Sequence, residues 1–229
     1  MNAIGWQLIL FIGVALISWL VQMNLQNKFK KYSKIATGNG MTGRDVALQM
    51  LHDNGIFDVQ VTHTPGHLTD HYNPTNKTVN LSEGVYRSNS IMAAAVAAHE
   101  CGHAVQHAHA YAPLTMRSKL VPVVQFASQW MTWLLLAGIL LLNSFPQLLL
   151  AGIVLFAMTT LFSFITLPVE INASKRALVW LNRSGITNTY NHAQAEDALR
   201  SAAYTYVVAA LSSLATLIYY ITIFLGRRD

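Results

Sequence analysis

The sequence predicts a mainly α-helical membrane protein with four transmembrane helices and a cytoplasmic α+β segment. Of its 229 residues, 53% are hydrophobic and only 11% are charged, whereas a soluble domain carries about 25% charged residues. The apolar residues are also concentrated, because no acidic or basic side chain precedes Lys28 and none lies within residues 120–169. This composition excludes a disordered chain, and the lone Cys101 excludes an internal disulfide scaffold.

Four segments are long and apolar enough to cross a bilayer, for which a helix needs about 20 residues to span about 30 Å of hydrocarbon. The uncharged stretch of residues 120–169 is too long for one crossing and must turn back. Asn143 and Pro146 favour a turn near its middle. The predicted transmembrane helices therefore lie at residues 4–21, 121–142, 148–167 and 204–225.

The distribution of basic residues predicts the orientation of these helices. Four lysines follow the first helix and no basic residue precedes it, which places the amino terminus outside the cytoplasm. Residues 25–119 and 170–203 then face the cytoplasm and hold every Lys and Arg except Arg227 and Arg228. The net charge of +5 does not indicate nucleic-acid binding, because the basic residues adjoin apolar segments instead of forming a patch with exposed aromatics.

The polar segment after the first helix has the pattern of a compact α+β unit. Thr42 and Asp45 resemble a capping box that starts a helix, with Asp in place of Glu. Ser88 or Ser90 is expected to cap a second, alanine-rich helix that extends to about residue 109. Between these helices, strands are predicted around residues 59–63, 68–72 and 77–81.

The second of these helices contains His99, Glu100, Cys101, Gly102 and His103, the pattern H-E-x-x-H. Spacing of i, i+4 puts both imidazoles on one face of a helix, where their nitrogens can bind one Zn²⁺. Glu100 is turned partly aside, so we expect it to act as general base on a zinc-bound water and to return the proton to the leaving amine. The alternative is a polar helix with two surface histidines.

Glu170 is the predicted third ligand, because a catalytic zinc normally has three protein ligands. It is the only carboxylate between Glu100 and Glu196 and lies at the end of the third apolar segment, where an unpaired charge is costly. Two crossings by the helical hairpin return Glu170 to the face of the membrane that holds the histidines. The alternative is an interfacial carboxylate paired with Lys175 or Arg176.

Several segments together resemble the bacterial YugP-type neutral zinc metallopeptidases over nearly the whole chain, namely residues 66–74, 97–107, 111–114 and 167–174. That family is similar in plan to the HtpX-type and CAAX prenyl membrane proteases, in which a glutamate of an E-x-x-A-D helix completes H-E-x-x-H. The resemblance implies that His99, His103 and Glu170 bind zinc and that Glu100 is the general base. Ser174 stands where that motif has Asp, so a carboxylate hold on a zinc histidine does not carry over.

These assignments divide the chain into five parts, and the fold class is a zincin-like H-E-x-x-H metalloprotease unit attached to transmembrane helices. Residues 1–26 hold the first transmembrane helix, 27–119 a cytoplasmic α+β catalytic segment, 120–169 a transmembrane hairpin, 170–203 a cytoplasmic helical segment with the third ligand, and 204–229 the fourth transmembrane helix and tail.

Other residues are candidates for contacts with the ligands or with substrate. His71 and Tyr72 could steady an oxyanion, from a strand able to pair with an extended substrate. His107 lies one turn beyond His103, where a straight helix disfavours a third ligand, so it is expected to pack or to support the site. Cys101 is expected to pack. The remaining candidates for supporting contacts are Asn172, Ser174 and Arg176.

The sequence therefore predicts a zinc-dependent endopeptidase in the bacterial inner membrane, with its active site facing the cytoplasm. Its expected substrates are membrane proteins or segments close to the membrane, and its expected surroundings are the lipid bilayer; no oligomeric state is predicted. A site-2-type intramembrane protease is a rival, although the apolar run from Ile91 to Ala98 is short for a spanning helix. A zinc-binding scaffold without proteolysis is the other alternative, and it would need the histidines but not Glu100.

Overall fold

The computed structural model describes the backbone of residues 3–226 and the side chains of residues 9–226. This part of the chain is mainly helical, with one small sheet. Its elements in chain order are α1 (Ala3–Tyr32), α2 (Gly43–Asp53), β1 (Gln60–Thr64), β2 (His71–Asn73), β3 (Thr78–Ser82), α3 (Glu83–Tyr86), α4 (Ile91–Ala108), α5 (Ala112–Leu140), α6 (Pro146–Arg183) and α7 (His192–Gly226).

The prediction of four membrane-spanning helices is confirmed by length and composition among the described residues. The helices that qualify are α1 from residue 9 onward, α5, α6 and α7. Each is longer than predicted, and α6 continues past Pro168 to Arg183. Hydropathy predicts only the part of a helix that is suited to lipid. The helix continues beyond that part where its next residues can pack against the protein. Arg227 and Arg228, the predicted exception to the charge bias, lie outside the described residues.

The chain forms two compact units. The first comprises Met1–Trp19, Thr115–Pro168 and Tyr206–Asp229 and is called the apolar unit. The second comprises Leu20–Leu114 and Val169–Thr205 and is called the mixed unit because it contains both helices and the sheet.

The apolar unit is held together by close helix packing. A Cβ atom on Gly138 of α5 would overlap the backbone of Leu149 in α6, so only glycine permits this approach. Leu135, Leu149 and Ile153 form a buried cluster beside it. Large apolar side chains such as Trp133 point outward and are exposed, as expected of helices that face lipid.

In the mixed unit, the sheet has strand order β1-β3-β2. Two of the predicted strands, β2 and β3, pair antiparallel, although β2 begins later than predicted, at His71. β1 pairs parallel to β3. The central strand therefore carries the buried Val79 and Leu81, and β2 forms an edge of the sheet.

Helices α2 and α4 pack in the same core as the central strand. The predicted capping box at the start of α2 is confirmed, since Thr42 and Asp45 each hydrogen-bond to the other's backbone N–H. Ser90, one of the two predicted caps, begins α4 by accepting a hydrogen bond from the Ala93 N–H. The Ser90 cap fixes where α4 begins.

Candidate active site

Helix α4 approaches α6 closely because Gly102 has no side chain. A Cβ atom at this position would lie 2.7 Å from the carbonyl oxygen of Ala173, which is closer than real Cβ atoms come to backbone. Alanines surround the contact, and Ala98 and Ala173 are fully buried. The small residues thus bring the backbone of α6 directly against the helix that carries H-E-x-x-H.

This approach brings His99, His103 and Glu170 together. Glu170 Oε2 lies 3.3 Å from His99 Nε2 and 3.5 Å from His103 Nε2. The three candidate ligand atoms all lie within 4.8 Å of one another, a group that could hold a metal ion. Their side chains are largely buried, with relative exposures of 13%, 9% and 3%. Glu170 thus faces the two histidines.

The donor set fits zinc, which binds imidazole nitrogen and carboxylate oxygen and keeps one position open in catalytic sites. His99 Nδ1 lies 3.0 Å from Ser174 Oγ, and His103 Nδ1 lies 3.1 Å from Gln106 Oε1. Both Nε2 atoms are thereby left on the side of Glu170. Because an amide oxygen only accepts, the neutral ring of His103 carries its proton on Nδ1 and has its lone pair on Nε2.

Gln106 is a site residue that the sequence analysis missed. It is fully buried, and its amide is oriented by donating from Nε2 to the Val169 carbonyl at 2.8 Å and to Asn172 Oδ1 at 3.0 Å. Arg176 Nε donates to the same Asn172 oxygen at 2.7 Å. The sequence signal was its position three residues after His103, on the helix face that carries the two histidines. Asn172 and Arg176, which were predicted to support the site, are connected to His103 through it.

Burial and nearby charges act in opposite directions on His103. Burial lowers its pKa, but its contact with Glu170 and the negative charges of Glu100 and Glu170 outweigh burial, so the pKa is raised. An ion pair between Glu170 and Lys175 or Arg176 was the predicted alternative. Neither Lys175 nor Arg176 takes part in an ion pair among the side chains that the structure describes.

The Glu100 carboxylate is held by the edge strand. Its Oε2 accepts a hydrogen bond from the backbone N–H of Tyr72 at 3.0 Å. The side chain of Tyr72 turns to His107, with 2.8 Å between Tyr72 Oη and His107 Nδ1. Burial and the charge of Asp58 raise the pKa of the Tyr72 phenol, which keeps it protonated. His107 therefore supports the strand that contacts Glu100.

Two further candidates lie apart from the triad. His71 is exposed, and its Nδ1 lies 2.8 Å from the Thr69 carbonyl. Cys101 is buried and its Sγ contacts the Ala47 carbonyl at 3.5 Å. Burial and the charge of Glu100 raise the pKa of this thiol, which favours the predicted packing role.

Comparison with known proteins connects this geometry to a family. The profile of a family described as "Putative neutral zinc metallopeptidase" matches residues 7–225. A relative from Bacillus subtilis (strain 168), named "Putative membrane protease YugP", is 43% identical over 224 residues, which cover 97% of this chain and 99% of that protein. No solved structure matches the chain. By the extent of the profile match and this identity, the chain belongs to the family described as putative neutral zinc metallopeptidases.

Proposed function

We propose that the protein is a membrane-embedded zinc endopeptidase that hydrolyses peptide bonds in membrane proteins or in segments close to the membrane. The observation that carries the proposal is the convergence of His99, His103 and Glu170 beside a glutamate on the same helix as the histidines. These three side chains would hold the ion. When bound, zinc would polarise a peptide carbonyl and acidify water in the site.

Glu100 would supply the proton transfer. Its carboxylate accepts a proton from the attacking water as the new C–O bond forms, and it delivers that proton to the amine as the C–N bond breaks. The hydrogen bond from the Tyr72 N–H fixes the orientation of the carboxylate. A non-proteolytic zinc scaffold would have no use for a base held in this way.

The proposal also places the site at the cytoplasmic face of the bacterial inner membrane. The support is the bias of basic residues towards 25–119 and 170–203, together with four helices long and apolar enough to cross a membrane. The printed name of the Bacillus subtilis relative describes a membrane protease. Substrates anchored in or near the same bilayer follow from that location.

A pair of variants tests the mechanism in the full-length protein purified in detergent. Glu100→Gln is expected to keep zinc and to slow cleavage of a peptide library by about 10²- to 10⁴-fold, because only the base is lost. Glu170→Ala is expected to lose zinc and cleavage together. Zinc is measured by elemental mass spectrometry and cleavage by peptide mass spectrometry.

Glu196→Gln is the matched control, since it removes one exposed carboxylate from the same unit and should change neither readout. Undiminished cleavage by Glu100→Gln would refute the mechanism. If the wild-type protein binds zinc but cleaves nothing, the scaffold is the better description. Full zinc content in Glu170→Ala would remove Glu170 from the ligand set.

A further inference from the structure

A cavity of about 350 Å³ lies on the side of α4 and α6 away from the metal-ligand triad. At about 100° per residue, Lys175 and Arg183 lie about 140° around α6 from Glu170, and Val105 lies about 200° around α4 from His103. The cavity therefore does not face the metal-ligand triad, although Asn172 and Arg176, which also line it, belong to the hydrogen-bond network that orients His103. Its lining combines basic residues with apolar ones, including Lys175, Arg176, Arg183, Met50, Val105 and Trp180.

The basic side chains of this cavity are not neutralised by neighbours. Among the side chains that the structure describes, no ion pair engages Lys175, Arg176 or Arg183. Within the described part of the chain, Arg176 contacts neutral groups, namely the Asn172 amide at 2.7 Å and the Tyr111 ring, whose centroid lies 6.0 Å from the guanidinium. The cavity thus presents an excess of positive charge.

One carboxylate lies close to it. Asp53 lines an adjoining cavity of about 330 Å³ that shares Trp180 and Arg183 with the first. Its Oδ2 accepts a hydrogen bond from Trp180 Nε1 at 2.9 Å. This bond satisfies the polar edge of the indole, whose ring is otherwise buried in the core of the unit. The three basic side chains Lys175, Arg176 and Arg183 outnumber this carboxylate, so the net charge around the cavity is positive and favours an anion.

We propose that this cavity binds the phosphate headgroup of an anionic phospholipid. The volume falls within the range of about 300–1,000 Å³ typical of ligand sites, and basic pockets on membrane proteins bind such headgroups. An inorganic phosphate would use the basic rim alone, whereas a lipid would also cover Val179, an apolar side chain of the rim that is 62% exposed. Four helices suited to lipid bring such molecules to the protein. The site goes beyond the proposed peptidase function and does not depend on it.

Binding can be measured by native mass spectrometry of the full-length protein in neutral detergent, titrated with phosphatidylglycerol or, for comparison, phosphatidylcholine. The double variant Lys175→Gln/Arg183→Gln is expected to bind phosphatidylglycerol about 25-fold more weakly, since each basic residue contributes about fivefold. Arg176 is left in place because it also holds Asn172. Lys30→Gln/Lys34→Gln removes the same charge from exposed positions and should bind as the wild type does.

Equal affinity of both double variants for phosphatidylglycerol would overturn the proposal, as would equal affinity of the wild type for the two lipids. Displacement of the lipid by an equal concentration of inorganic phosphate would reassign the cavity to a free anion. Thermal unfolding checks that each variant is folded. If the double variant is not, Lys175→Gln alone is used, with a loss of about fivefold expected and an unchanged affinity counting against the site.

Discussion

The apolar unit and the mixed unit both bring two helices into backbone contact at a glycine, yet the contacts do different things. In the apolar unit, Gly138 lets α5 meet α6 beside a cluster of aliphatic side chains. In the mixed unit, Gly102 lets α4 meet α6. The side chains near this contact are polar: His99, His103, Glu170 and the buried Gln106. A glycine at the helix contact therefore supports packing in the apolar unit and brings together polar side chains of the candidate active site in the mixed unit.

The difference follows from the surroundings. Helices in lipid gain little from the hydrophobic effect on meeting, so they rely on close packing at small residues. The mixed unit holds all nine histidines and every acidic residue except Asp229, and its buried polar groups need partners. Backbone contact at Gly102 shortens the distance between α4 and α6 enough for Gln106 and Ser174 to supply them.

The largest effect is expected from Gly102→Ala. Its methyl group would collide with the Ala173 carbonyl and force α4 and α6 apart, lowering the free energy of unfolding by about 1–3 kcal/mol and separating the zinc ligands. Zinc content and chemical denaturation are the measurements. Gly84→Ala is the control, because nothing lies within 4 Å of a Cβ there. A Gly102→Ala protein with full zinc would show that the contact does not set the site.

A smaller effect is expected from Gln106→Leu. It removes the acceptor for His103 Nδ1, and loss of such a partner typically weakens metal binding by about 10- to 100-fold. Ser174→Ala removes the contact to His99. It should cost less because, among the residues that the structure describes, the Ser174 hydroxyl has no second hydrogen bond to fix its orientation. Competition with a zinc chelator ranks the two variants, and the reverse order would contradict this reading of the network.

The smallest effect on zinc is expected from Gly138→Ala. The added methyl group collides with the Leu149 backbone and should lower the thermal stability of the protein, since overpacking costs about 1–3 kcal/mol. Zinc affinity should remain that of the wild type because the ligands belong to the mixed unit. Parallel loss of zinc in the folded variant would mean that the two contacts are not independent.

Patterns with a single physical cause were predictable from sequence. The four apolar segments follow from hydropathy, the capping box of Thr42 and Asp45 from local hydrogen bonding, and the nearness of His99 and His103 from helix periodicity. The pairing of Glu170 with them was predicted from the count of crossings and from family resemblance, and the structure brings these side chains together. Their role as zinc ligands stays a prediction.

Other features depended on tertiary contacts. The third transmembrane helix was predicted to end at residue 167, but α6 continues to Arg183 because the residues after Pro168 pack in the mixed unit. The parallel pairing of β1 with β3 brings together segments that are not adjacent in sequence. Gln106 could not be assigned because its function depends on Val169 and Asn172, which lie more than sixty positions further along the chain.

The burial of Cys101 has a practical consequence for mapping the protein in its membrane. The chain contains one cysteine, and its side chain is 0% exposed. A bulky, membrane-impermeant maleimide added to intact cells would not reach this sulfur in the folded protein. A second thiol introduced at a loop would then be the only one that reacts with the label. Labelling of such variants can therefore show which loops face each compartment without first replacing Cys101.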